Sequence, residues 1–112
     1  MAAQPLVKVY ASFSPVGENC RDSVATVGRQ AVGCDEPWLF MENGLLRIAW
    51  EGIWFPLDDV LAILAIHLSP DAEGKLDFLD MEAWTLTRCL FVNGAFDCQT
   101  RGLNHVLAYS GF

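Results

Sequence analysis

From Leu6 to Phe13 the chain alternates, with Val7, Val9, Ala11 and Phe13 on one side and Lys8, Tyr10 and Ser12 on the other. Successive side chains of an extended strand point to opposite faces, so this period of two predicts an N-terminal strand. Ser14-Pro15-Val16-Gly17 breaks the pattern. Asn19 or Asp22 then stands where an N-cap is wanted, and a helix is expected to run toward Val32 and end at Gly33. Gly28 works against it, because an interior glycine costs about 1 kcal/mol relative to alanine. Pro37 opens a clearer unit. Trp38 to Glu42 and Leu45 to Trp50 flank Asn43-Gly44, a dipeptide suited to the type I′ turn of a hairpin. A second tight turn at Glu51-Gly52 adds a short strand, Ile53 to Phe55, and makes a meander.

Pro56 stops the sheet, and Asp58 with Asp59 supplies an N-cap and a negative first turn for a second helix through Leu68. Val60, Leu61, Ile63, Leu64, Ile66 and Leu68 make that helix apolar almost all round, as expected of one buried centrally or shared with a partner. Ser69 to Gly74 reads as a capped single turn. Residues 77–93 carry two readings. Asp77 or Asp80 can cap a helix with Met81, Trp84, Leu86, Cys89 and Leu90 on its apolar face, ended by Asn93-Gly94. Alternatively Thr85 to Val92 is a strand that turns at Asn93-Gly94 and returns through Gln99, with Val92 beside Ala95 and Cys89 opposite Cys98. The helix is preferred on Asp80, Met81, Glu82 and Ala83, although Thr85, Thr87, Cys89, Phe91 and Val92 favour a strand. Leu103, Val106 and Leu107 recur at helical spacing, with Arg101, Asn104 and His105 opposite, and predict a C-terminal helix.

These elements predict an α+β fold in a single compact domain, residues 1–112. It consists of a small antiparallel sheet, the three-strand meander around residues 37–55 plus the N-terminal strand, packed against three or four helices. A chain of 112 residues can bury a sizeable core unaided, and 53% hydrophobic residues with four tryptophans exclude disorder. The apolar content is generous enough to fill a large core or to leave some of it on the surface for a partner. The longest apolar run, Val60 to Leu68, is about half the ~20 residues that span a bilayer, so no membrane association is expected. The N-terminal MAAQPLVKVYASF lacks the pattern of a signal peptide, and a cytoplasmic protein is expected. In that compartment Cys20, Cys34, Cys89 and Cys98 are expected by default as reduced thiols, although a hairpin that sets Cys89 opposite Cys98 makes a disulfide geometrically possible, and the cysteine spacing matches no zinc motif.

No local constellation announces catalysis. His67 suits the last carbonyls of the second helix, and His105 suits a solvated face. Asp58-Asp59 point about 100° apart on a helix, poor geometry for one metal or acid–base site, and capping accounts for both. Asp71-Ala72-Glu73-Gly74-Lys75 places Gly and Lys where a calcium loop needs ligands. Gly28 and Gly33 are too isolated for a phosphate loop, and no cofactor is expected. Trp38, Trp50, Trp54 and Trp84 sit among apolar neighbours that suggest core, and the acidic balance opposes direct nucleic-acid binding.

Charge is the strongest remaining signal. Between Asp58 and Glu82 seven acidic residues stand against Lys75 alone, so this stretch carries six of the seven net negative charges. With Asp58 and Asp59 assigned to capping, Asp71, Glu73, Asp77, Asp80 and Glu82 are the candidate partner-binding residues. They predict a non-enzymatic, acidic protein-binding inhibitor or antagonist that docks on a basic surface of a protein target and competes there with nucleic acid. An alternative order of elements is helix, three strands, helix, two strands, helix. That order, with the small size and negative charge, resembles class I type III secretion chaperones, which implies a dimeric chaperone or adaptor. A third alternative is an enzyme or small-molecule binder using Asp58, His67 or Cys89.

Overall fold

The computed structural model of the chain describes residues 5–104. Eight elements follow one another: β1 (Val7–Ser14), α1 (Glu18–Gly28), β2 (Leu39–Glu42), β3 (Leu45–Gly52), α2 (Leu57–His67), β4 (Glu73–Asp80), β5 (Thr85–Val92) and β6 (Ala95–Gly102). All six strands join one antiparallel sheet in the order β2-β3-β1-β4-β5-β6. The expected small sheet under three or four helices is therefore corrected to a six-stranded sheet with two helices among the described residues. The order strand, helix, two strands, helix, three strands also departs from that of the secretion chaperones.

The alternation in β1 is real and decides the layering. Val7, Val9, Ala11 and Phe13 are buried, and in register with them lie Trp50, Ile48 and Leu46 of β3 and Leu76 of β4. Cys20 and Val24 of α1 and Val60 and Leu64 of α2, each pair one helical turn apart, join the same core. The opposite sheet face, with Lys8, Tyr10 and Ser12 at its centre, is covered by no described element. α2 is a surface helix with one buried stripe rather than a central one, and its Ile66 is 72% exposed. α1 stops at Gly28, where a Cβ would collide with the Trp38 indole, and so falls short of Val32. Its N-cap is Gly17, and α2 is entered through Pro56, with Asp58 and Asp59 in the first turn and no side-chain cap bond.

Two further departures have identifiable causes. The Asn43-Gly44 hairpin forms, with both residues at positive φ, but the expected third strand at Ile53–Phe55 does not. At Gly52 a Cβ would sit 2.6 Å from the Trp50 ring and 2.8 Å from the Val32 carbonyl. Beyond it Ile53 and Trp54 bond to Val32 across an isolated bridge, while β3 takes β1 as its second neighbour. The preferred helix over residues 80–93 is likewise absent. Asp80 Oδ1 accepts the amides of Glu82 and Ala83 at 3.0 and 2.9 Å, which closes a turn instead of opening a helix. Trp84 follows at φ 57° and reverses the chain into β5. The strand formers from Thr85 to Val92 then pair with both β4 and β6, and Asn93-Gly94 makes a type I′ turn at φ 55° and 82°. Cys89 and Cys98 face each other with Cα atoms 4.0 Å apart and are joined in a disulfide, which corrects the expectation of reduced thiols; Cys20 and Cys34 are free. Of the predicted C-terminal helix, His105, Val106 and Leu107 lie outside the described residues.

Candidate protein-docking surface

The five acidic residues singled out from the sequence do not form one patch. Glu73 and Asp80 are the two ends of β4, about 23 Å apart at a rise of roughly 3.3 Å per residue. Asp71 accompanies Glu73 at one end, and Glu82 accompanies Asp80 at the other. Asp77 lies between them on the open face, where both oxygens accept from Arg88, at 2.7 Å from Nε and 3.0 Å from Nη2. That bond raises the Arg88 pKa, and Asp77 is thereby neutralised locally. Asp80 is occupied with its own turn.

Strand parity sorts the charges more sharply than sequence position does. The open face carries five bases (Lys8, Arg47, Lys75, Arg88, Arg101) and five acids (Glu42, Glu51, Glu73, Asp77, Asp97). Arg21 and Arg29 stand outside the open-face strand positions against nine acids, so those positions are neutral together and the net charge of −7 is carried by the helices, the loops and Asp80. Within that face Glu51 accepts from the Tyr10 hydroxyl at 2.9 Å and pairs with Lys8 at 3.7 Å. Burial first, and then the bond to Glu51, pushes the Tyr10 phenol up to about 12. Burial also raises the thiol pKa of Cys20 in the core, which keeps it protonated.

Four of the remaining acids follow the residues of an apolar patch along the chain. The Val32–Trp54 bridge, with the Ile53 amide donating to the Val32 carbonyl at 2.7 Å, brings the loop after α1 against the segment after β3. Val32, Ile53 and Trp54 are all about half exposed there, at 51%, 46% and 49%. Asp35 and Glu36 follow Val32, Asp58 and Asp59 follow Trp54, and all four are exposed. Phe55 and Pro56 are buried beneath and hold the segment in place, with Phe55 packed edge-on to Trp38 at 6.0 Å and tilted on Trp50 at 5.1 Å. Beside the patch is a cavity of about 490 Å³ lined in part by Asp35, Glu36, Glu51 and Ile53. An exposed tryptophan on a rigid backbone, with aliphatic neighbours and a charged rim, has the make-up of a protein-contact anchor. Sequence reasoning placed the tryptophans in the core and missed this arrangement, because Val32 and Trp54 are adjacent only through the fold.

The residues of the enzymatic alternative are not assembled. Asp58 and His67 lie at opposite ends of α2, about 14 Å apart along its axis at ~1.5 Å per residue, and Cys89 is buried in the disulfide. No group of three or more His, Cys, Asp or Glu suited to a metal ion occurs among the described residues, and no helix among them is long and apolar enough to cross a membrane. No protein-family model, curated protein or solved structure matches the chain.

Proposed function

We propose that this protein is a non-enzymatic inhibitor or antagonist that seats the Val32–Ile53–Trp54 patch and its carboxylate rim on a basic surface of a protein target. The observation that carries the reading is the half-exposed Val32–Ile53–Trp54 patch, with Asp35 and Glu36 sharing a cavity with Ile53 and exposed Asp58 and Asp59 following Trp54 along the chain. The apolar centre supplies contact energy on desolvation, and the acidic rim steers the encounter and selects a basic partner. Competition with nucleic acid follows where the target's basic surface is one that binds phosphate. Asp80 and Glu82 stand at the same end of the sheet and extend the negative field, whereas Asp71 and Glu73 stand at the other.

The test is cross-linking of the protein to its targets, followed by quantitative binding to those identified. Wild type is expected to bind basic proteins with an affinity that falls as salt rises from about 50 to 500 mM, as screening of charge contacts requires. Trp54→Ala and Asp35→Lys/Glu36→Lys are expected to lose about 2 kcal/mol or more of binding each while keeping the wild-type circular dichroism. Unchanged binding by both folded variants refutes the proposal. A cytoplasmic location belongs to the same proposal, and the Cys89–Cys98 disulfide weighs against it, since cytosolic thiols are kept reduced. Alkylation of free thiols in intact cells distinguishes a reducing from an oxidising compartment.

A further inference from the structure

β6 ends the sheet with eight residues whose outer edge pairs with no described element, while the opposite edge strand, β2, has only four. A long free edge presents a ladder of backbone donors and acceptors to any extended chain. The type I′ turn makes Val92 and Ala95 a hydrogen-bonded pair, so Ala95, Asp97, Gln99 and Arg101 aim their backbone groups at β5. The close approach of Cys89 and Cys98 is that of a non-hydrogen-bonded pair and fits this parity. Phe96, Cys98, Thr100 and Gly102 therefore direct their N–H and C=O groups outward.

Charge then selects the occupant. Asp97 lies opposite Leu90 and Arg101 opposite Leu86 within the sheet, and neither has an ionic partner among the described residues. Among the described residues Arg101 Nη2 reaches only the Gln99 oxygen, at 3.4 Å. Two antiparallel registers overlap seven of the eight residues of a second β6, one centred on Cys98 and one on Gln99. Centring on Cys98 sets Asp97 opposite Gln99 and Arg101 opposite Ala95. Centring on Gln99 sets Asp97 of each copy opposite Arg101 of the other and pairs every outward residue, Phe96 with Gly102 and Cys98 with Thr100. Of these two registers only the second satisfies both charges and every outward backbone group.

We infer that the protein forms a two-fold homodimer through antiparallel β6–β6 pairing centred on Gln99, giving a continuous twelve-stranded sheet. This interface is independent of the docking surface, since Trp54 follows β3, four strands away from β6, and both patches stay free in the dimer.

Sedimentation velocity on the full chain tests the register. Wild type is expected to be dimeric. Asp97→Arg sets two bases opposite each other and Arg101→Asp two acids, so each variant alone is expected to weaken the dimer by roughly ten-fold or more. An equimolar mixture of the two is expected to restore a heterodimer, because position 97 of each copy then faces the opposite charge at position 101 of the other. Wild-type circular dichroism of both variants excludes misfolding as the cause of any dissociation. A monomeric wild type overturns the proposal, as do single variants that remain fully dimeric or a mixture that stays monomeric.

Discussion

Opening the Cys89–Cys98 disulfide should destabilise the protein by an amount its small loop makes calculable. The cysteines are nine positions apart, so the bond closes a loop of about ten residues, for which chain entropy gives roughly 2.7 kcal/mol at 25 °C. Nothing in the native state should add greatly to this. Cys89 is fully buried beside Leu76 and behaves as a small apolar side chain when reduced, and Cys98 is exposed. The Asn93-Gly94 turn already biases the unfolded chain toward the hairpin, so about 2.7 kcal/mol is an upper value. Urea unfolding followed by tryptophan fluorescence measures the change. With a slope of about 1–3 kcal/mol per molar, wild type should lose roughly 1–2.5 M of its midpoint on adding a thiol-free reductant. Cys98→Ser should start near the reduced wild type and not respond to reductant. If thiol counting shows the bond open and the wild-type midpoint has not moved, the entropic reasoning is wrong; four free thiols in untreated protein would refute the bond itself.

Gly74→Ala should cost about 3 kcal/mol by thermal melting, near the upper end of overpacking effects, because its Cβ would collide with the Ser12 carbonyl and the Phe13 backbone and ring on the neighbouring strand. Leu64→Ala removes a fully buried side chain that ties α2 to the sheet and should cost about 3 kcal/mol in the same assay. Tyr10 should ionise near pH 12 in an ultraviolet titration, in a step that vanishes in Tyr10→Phe and moves down in Glu51→Gln while staying above 10, since burial is the larger cause. The folded phenol keeps its proton longer than the unfolded one, so its contribution to stability is full below pH 10 and is lost as pH rises from 10 toward 12.

What could be read from the sequence followed the range of the forces involved. β1, the β2–β3 hairpin and α2 rest on local signals, namely alternation in Val7 to Phe13, Asn43-Gly44, and Pro56 before an apolar run, and these stand in the structure near the expected positions. Residues 80–93 failed because local and distant preferences conflict there. Asp80 to Ala83 suit a helix start taken alone, but pairing of Thr85 with Asp80 and Gly102 places the following strand between two neighbours, which no local window contains. The acidic signal misled for a related reason. Counting charges along the chain joined Glu73 to Asp80, which strand geometry puts at opposite ends, and left out Asp35 and Glu36, which line a cavity with Ile53 next to the Val32–Trp54 bridge.

β1 precedes every other described strand yet lies at the centre of the finished sheet, and this shapes how the chain must be assembled. β1 finds its partners between 33 and 73 positions later, from Phe13–Leu46 to Val7–Asp80. At ribosomal rates of about 5–20 residues per second, roughly 4–15 s separate synthesis of Val7 from that of Asp80. Throughout that interval a Val- and Phe-bearing strand lacks at least one neighbour and invites capture by other nascent chains or by chaperones. Contacts of such sequence separation also predict slow folding for a domain of this size. A chain deprived of residues 7–14 would keep a hairpin, β2–β3, and a three-strand meander, β4–β6, with no ladder left to join them.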